Sequence, residues 1–172
     1  MGFTIALYYF ADWVSIGKMA VTTLHSHLSL GYSDVSGTEG GFTVNNLTLN
    51  GAANITFGSI TIRPRILSSI LSLSVVSDIE FRDCRVRLGQ VMNFGDGRVM
   101  LTAGRNEILL ENLSTTGEFR LNGYITLDRL NMKLGRADAR IEIPDTFSDN
   151  MPMIQNFMPL VNEGGRWYLR RK

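Results

Sequence analysis

Residues 117–144 read GEFRLNGYITLDRLNMKLGRADARIEIP. The apolar side chains fall on alternate positions: Phe119 and Leu121, Ile125 and Leu127, Leu130, Met132 and Leu134, then Ala137, Ala139, Ile141 and Ile143. A period of two places one face of a strand in a core and the other in water. The i, i+3, i+4, i+7 spacing of an amphipathic helix is missing. Breaks at Asn122-Gly123, Asp128-Arg129 and Gly135-Arg136 divide the stretch into three or four short antiparallel strands.

Upstream the chain has the same character. Phe42 and Val44 alternate, then Leu47 and Leu49, with the phase slipping by one residue across Asn45-Asn46. A slip of this kind marks a bulge or corner, because a shift of one residue turns every side chain to the other face. Asn50-Gly51 turns the chain, and Ile55, Phe57, Ile60 and Ile62 follow. Ile79 and Phe81 alternate with Asp78, Glu80 and Arg82; the phase slips again at Asp83-Cys84, and Cys84, Val86 and Leu88 continue. Gly95-Asp96-Gly97 carries a hairpin signal, and Val99 and Leu101 pair plausibly with Ile108 and Leu110. The expected fold is therefore mainly β: one long, curved antiparallel sheet partly folded over itself.

Helical patterns sit at the margins. Pro64 opens a stripe of Ile66, Leu67, Ile70 and Leu71 over residues 64–72, expected to lie across an open end of the sheet. Met153, Phe157, Leu160 and Val161 give a second helix over residues 149–162, before a terminal strand at Trp167-Tyr168-Leu169. An N-terminal helix is expected within residues 1–24, a membrane-proximal or truncated membrane-anchor segment, and residues 25–172 form a single β-rich domain.

That first segment admits three readings: the tail of a membrane anchor, an interfacial helix with Tyr9, Trp13, Ile16 and Met19 or Ala20 on one face, or a helix packed on the end of the sheet. Phe3, Ile5, Leu7, Tyr8, Tyr9 and Phe10 make a short apolar run, and Tyr8, Tyr9 and Trp13 suit the headgroup zone. These seven residues are the expected membrane contacts. Asp12 and Lys18 mark where the chain would leave the hydrocarbon. Eight residues at about 1.5 Å each cover about 12 Å, less than half of a roughly 30 Å hydrocarbon core, so the run cannot span unaided.

Composition excludes several classes. The chain has 172 residues, is 44% apolar and 19% charged, and carries a net charge of +1. That is too apolar for disorder, and bulk charge gives no argument for a nucleic-acid partner. A lone cysteine, Cys84, excludes an internal disulfide and a thiolate cluster. His25 and His27 could share a strand face, but no carboxylate or Cys lies near them in sequence. The Gly-rich loop from Gly31 to Gly41 lacks a Gly-Lys-Ser/Thr ending. Asp78 and Glu80 share a face as a glycosidase pair would, but Arg82, Arg85 and Arg87 alternate with them, and an exposed cross-strand salt-bridge face fits better. Asn-x-Ser/Thr triplets stand at Asn46, Asn54 and Asn112. No catalytic residue, cofactor site or metal site emerges, and the chain reads as a non-enzyme.

Two blocks carry a resemblance. One runs from Gly41-Phe-Thr-Val-Asn-Asn-Leu-Thr-Leu-Asn-Gly51 through Ile60-Thr-Ile-Arg-Pro-Arg-Ile-Leu-Ser-Ser-Ile-Leu-Ser72. The other runs from Gly117-Glu-Phe-Arg-Leu-Asn-Gly123 through Ile143-Pro144 and closes with Gly165-Arg-Trp-Tyr-Leu-Arg170. Their order resembles the periplasmic part of the type II secretion system protein N family and, more distantly, AsmA-like envelope proteins. The resemblance implies a bacterial inner-membrane protein with its β domain in the periplasm. It implies an accessory of type II protein secretion acting through protein–protein contacts, with other secretion-system or envelope proteins and the inner membrane as partners. The AsmA-like alternative implies a lipid-binding groove in envelope lipid handling.

Overall fold

A computed structural model describes residues 11–25, 29–51, 53–130 and 133–171. After helix α1 (Trp13–His25) come strands β1 (Ser29–Gly31), β2 (Asp34–Thr38), β3 (Gly41–Asn50) and β4 (Asn54–Pro64). Helix α2 (Ile66–Ser72) leads to β5 (Val75–Leu88), β6 (Gln90–Ala103), β7 (Glu107–Thr115), β8 (Arg120–Asp128) and β9 (Leu134–Glu142). A 3-10 turn (Asp145–Asn150), helix α3 (Met151–Phe157), β10 (Leu160–Glu163) and β11 (Arg166–Arg171) complete the chain. The strands form one 11-stranded sheet in the order β1-β3-β4-β5-β6-β7-β8-β9-β11-β10, with β2 beside β1 on the edge of β3. From β3 to β9 each strand pairs with the next in sequence, always antiparallel. The expected β architecture and the N-terminal helix are both present.

The phase slips have one physical cause. Asn46, Asp83 and Asn112 lie inside strands with φ of 51°, 52° and 53°. The left-handed region costs most residues about 1–2 kcal/mol, and Asn and Asp occupy it most readily after Gly. Each such residue lets the chain advance one position without flipping its apolar set. Phe81 before Asp83, and Cys84 and Leu88 after it, therefore belong to the same buried cluster. Leu110 and Leu113 flank Asn112 in the same way. Phe42 and Val44 stay with Leu47 and Leu49 across Asn46. The sites line up across the sheet. Asn46 falls opposite Gly58, between the pairs Asn45↔Ser59 and Leu47↔Phe57. Gly58 in turn packs on Asp83, and the register shifts between Phe81 and Cys84. The Asp83 N–H donates to Asp96 Oδ1 at 3.0 Å, on the next strand. Further shifts follow on β6–β7 and β7–β8 around Asn112.

Bulges bend strands as well as shifting them. β5 and β6 are 14 residues each and would run about 46 Å if straight. The apolar face instead closes on a cluster that takes Phe57 from β4, Phe81 from β5, Phe94 from β6, Ile141 from β9 and Trp167 from β11. Phe119, fully buried, sits between Phe94 (ring centroids 5.5 Å) and Phe147 (4.7 Å, edge-on). Its backbone N–H donates to the Asn93 carbonyl at 3.0 Å, so the β7–β8 connection folds back onto β6. The 3-10 turn and α3 cover this face with Phe147, Met151 and the buried Ile154. Each large apolar side chain so buried contributes about 1.5–3 kcal/mol.

A second cluster lies under α1. Asp12 caps this helix: its carboxylate accepts the Ser15 N–H at 3.1 Å and the Ser15 hydroxyl at 2.6 Å. Those bonds, the hydroxyl first, hold the Asp12 carboxyl below the usual carboxylate range. Trp13 and Val21 of α1 pack with Leu30, Val35, Phe42 and Val44. Gly17 lets the helix approach, for a Cβ there would lie 2.7 Å from the Phe42 ring and 2.8 Å from Val35 Cγ1. The inward stripe is Trp13, Gly17 and Val21; Ile16 and Met19 face out. This departs from the interfacial face expected for Trp13, Ile16 and Met19, and the sheet is what Trp13 meets.

Other expectations need correction. Residues 117–144 supply two strands, β8 and β9, because Asn122-Gly123 does not turn: Asn122 pairs with Arg140 and Gly123 with Ala139 in mid-strand. Gly95-Asp96-Gly97 is likewise inside β6, and the hairpin turns at Gly89, φ 79°. Pro64 ends β4, paired with Ser77, and does not open a helix. The helix expected over 149–162 stops at Phe157. Leu160–Glu163 is a strand because Gly164 and Gly165, at φ 59° and 78°, turn it back onto β11. Finally, α2 forms within the expected span but buries none of its residues.

The tight seat of α1 yields a test. Valine is a slightly better helix former than glycine, by a few tenths of a kcal/mol, whereas overpacking a filled site costs about 1–3 kcal/mol. Gly17→Val should therefore destabilise the protein by about 2 kcal/mol in urea unfolding, while Met19→Ser, on the exposed side, should change it by less than about 0.5 kcal/mol.

Candidate functional site

The carboxylates singled out in the sequence all have basic partners. Arg63 Nη1 lies 2.9 Å from Glu80, Arg65 Nε 2.6 Å from Asp78 and Arg85 Nε 2.9 Å from Asp83. Every one of these six side chains is more than a third exposed, so each pair contributes about 0–1 kcal/mol. Asp78 and Glu80 thus form the expected salt-bridge face. Each is engaged by an arginine, and the two are not set as the facing carboxyl pair that glycoside hydrolysis uses. Among the described residues, no three His, Cys, Asp or Glu side chains gather as metal ligands would. His25 is the last residue of α1, not a strand residue, and His27 lies outside the described residues.

Cys84 faces the main cluster and is buried. Burial, and secondarily the Asp83 carboxylate, pushes its thiol up from 9.0 to about 12. A thiol in that state is inert, since the thiolate is the nucleophile.

Of the expected membrane contacts, Phe3, Ile5, Leu7, Tyr8, Tyr9 and Phe10 lie outside the described residues. Trp13 is within them, and its ring is turned into the α1 cluster. Among the described residues no helix is long and apolar enough to cross a membrane.

What the sheet offers is surface. β10 is an end strand of four residues with Val161 exposed, paired on one side with β11. At one end of the sheet, α2 and the residue after it expose Leu67, Ile70, Leu71 and Leu73. The helical spacing of the first three predicts that they cover the sheet. Ser69 makes the helix's hydrogen bonds to β5, accepting the Val76 N–H at 2.9 Å.

The state of Cys84 predicts its chemistry. Its folded pKa exceeds its unfolded one, so the protonated thiol favours the fold. That stability is complete below about pH 9 and is lost as pH rises from there towards about 12. Ellman's reagent at pH 8 should leave native protein unmodified over an hour and titrate one thiol per chain in 6 M guanidinium.

No curated protein and no solved structure matches the chain. A family model does match, over residues 1–171, and its description is type II secretion system protein GspN-like, Synergistales. The match supports the secretion resemblance and gives no support to the AsmA-like one. With practically its whole length matched, the chain belongs to the GspN-like family of type II secretion system proteins.

Proposed function

We propose that this protein is a non-enzymatic accessory of type II secretion that works through protein–protein contacts, with its β domain in the periplasm and residues 3–10 at the inner membrane. The observation that carries the reading is the family match together with the bare edge of β10. An end strand offers unpaired backbone groups to an incoming strand of another secretion component, and short length keeps it from pairing indiscriminately. The Asp78, Glu80 and Asp83 carboxylates are engaged with arginines, which supports a binding role over a catalytic one. The membrane-contact set is Phe3, Ile5, Leu7, Tyr8, Tyr9 and Phe10, without the inward-facing Trp13.

The lipid-groove alternative has less in its favour. It requires an unfilled inner face, and Phe119 and Ile154 fill that face from the protein's own chain.

In the native organism, tagged full-length protein should co-purify with other secretion components, and deleting its gene should lower the amount of secreted substrate proteins. Val161→Lys, which blunts the β10 edge, should cut co-purification severalfold at unchanged protein level. Unchanged secretion on deletion, with no secretion component recovered, would contradict the reading. Recovery of the native protein in the soluble fraction after mild lysis would contradict the membrane placement.

A further inference from the structure

α2 meets the rest of the protein through Ile66 and Ser69: Ile66 packs on the α1 cluster, and Ser69 Oγ donates to the Arg65 carbonyl at 2.8 Å and accepts the Val76 N–H at 2.9 Å. Its other apolar residues face away, with Leu67 and Ile70 exposed and Leu71 at 84%. Leu73 follows, 93% exposed and at φ 52°. It is the left-handed cap of α2, with the Leu73 N–H on the Ile70 carbonyl and the Ser74 N–H on the Ser69 carbonyl. Glycine is the low-cost residue in that position, and leucine carries about 1–2 kcal/mol of strain there. The sequence thus places a leucine where it neither packs nor fits. Val75 is exposed beyond it. Among the described residues, five of the twelve exposed large apolar side chains lie between Leu67 and Val75, which makes a patch and not a scatter.

The antiparallel order brings other connections to the same end. Gly104–Asn106 joins β6 to β7, and Arg129 with Leu130 follows β8. Arg129 Nη1 donates to the Gly104 carbonyl at 3.1 Å and ties these two connections together. Leu130 is 95% exposed. Ile70, Leu73, Val75, Arg105 and Arg129 line one groove between α2 and these turns, and no carboxylate lines it. The start of α1 lies at this end too. Val14 packs on Gly37, which pairs with Phe42, and Phe42 pairs with Ile62 just before α2.

We infer that this end of the sheet docks onto an anionic lipid bilayer. Leu67, Ile70, Leu71, Leu73 and Leu130 enter the boundary between headgroups and acyl chains, and Arg105 and Arg129 meet the lipid phosphates. Projecting aliphatic tips with a basic border suit an interface plane. Protein hot spots favour Trp, Tyr and Arg in packed pockets and use leucine sparingly. Docking would set the sheet on its α2 end with the β10 edge free along its side. The inference shares with the proposed function only the membrane reading of residues 3–10, and the test separates the two.

The full chain is sedimented with vesicles of phosphatidylethanolamine and phosphatidylglycerol over a range of lipid concentrations. Circular dichroism establishes that each variant is folded. Leu71→Ser with Leu73→Gly changes only exposed positions and should lower the partition coefficient tenfold or more. Arg105→Gln should lower it about fivefold on these vesicles, with the difference vanishing at high salt or without phosphatidylglycerol. Phe3→Ser with Leu7→Ser and Phe10→Ser tests the N-terminal reading by itself. If that variant partitions like wild type while the α2 variant does not, the docking face stands and the N-terminal reading falls. Wild-type partitioning by the α2 variant overturns the docking face. So does a wild-type chain that self-associates through this patch, seen as a loss of dimer on gel filtration of the α2 variant with vesicle binding unaltered.

Discussion

A strand with one buried face can be lengthened only if its alternation stays in register with the core. This sheet meets that constraint with left-handed residues placed in the middle of its strands. Asn46, Asp83 and Asn112 each absorb one residue, so that apolar side chains before and after them join the same cluster. Together the three conformations cost a few kcal/mol, about 1–2 each for an ordinary residue and less for Asn and Asp. Without them the far halves of β3, β5 and β7 would turn Leu47, Leu49, Cys84, Val86, Leu88 and Leu113 to water, at about 1.5–3 kcal/mol for a fully buried side chain and less for a half-buried one. The second cost is the larger, which is why the strained conformations persist.

The same devices give the sheet its bend, and the bend creates a face that one chain can cover. Phe119 enters it from the β7–β8 connection and Ile154 from α3, each almost wholly excluded from solvent. Gly97 makes room in the same region, where a Cβ would strike the Phe81 ring and the Ser114 carbonyl. Cys84, on this face, is kept protonated by its burial. The interior is thus closed by the protein itself, and the places left for interaction are the strand edges, the ends and the outer charged face.

The sequence made the breaks in alternation legible at Asn45-Asn46, where the strand pairing stays in register, and at Asp83-Cys84, where it shifts, because a change in alternation is visible wherever two apolar pairs flank it. It did not separate a bulge from a turn at Gly95-Asp96-Gly97 or Asn122-Gly123. Small and Asn/Asp residues serve both, and only the pairing partner across the sheet distinguishes them. The helix over 149–162 was overextended because Leu160 and Val161 continue a helical stripe, and the Gly164-Gly165 turn that commits them to a strand lies beyond it. The exposure of α2 was not legible. Its stripe of Ile66, Leu67, Ile70 and Leu71 has the spacing of a buried face, and only the packing of Ile66 and the bonds of Ser69 to Arg65 and Val76 reveal which side is turned in.

The most direct test of the bulge account is at Asn112, an exposed position at which packing does not confuse the comparison. Urea unfolding of Asn112→Gly and Asn112→Val reads the backbone conformation as a stability order. In a left-handed bulge, glycine fits and a β-branched residue is strained, so the valine variant should be less stable than the glycine variant by about 2 kcal/mol. In a regular strand the order reverses, with valine the more stable by about 1 kcal/mol, and that order would contradict the account.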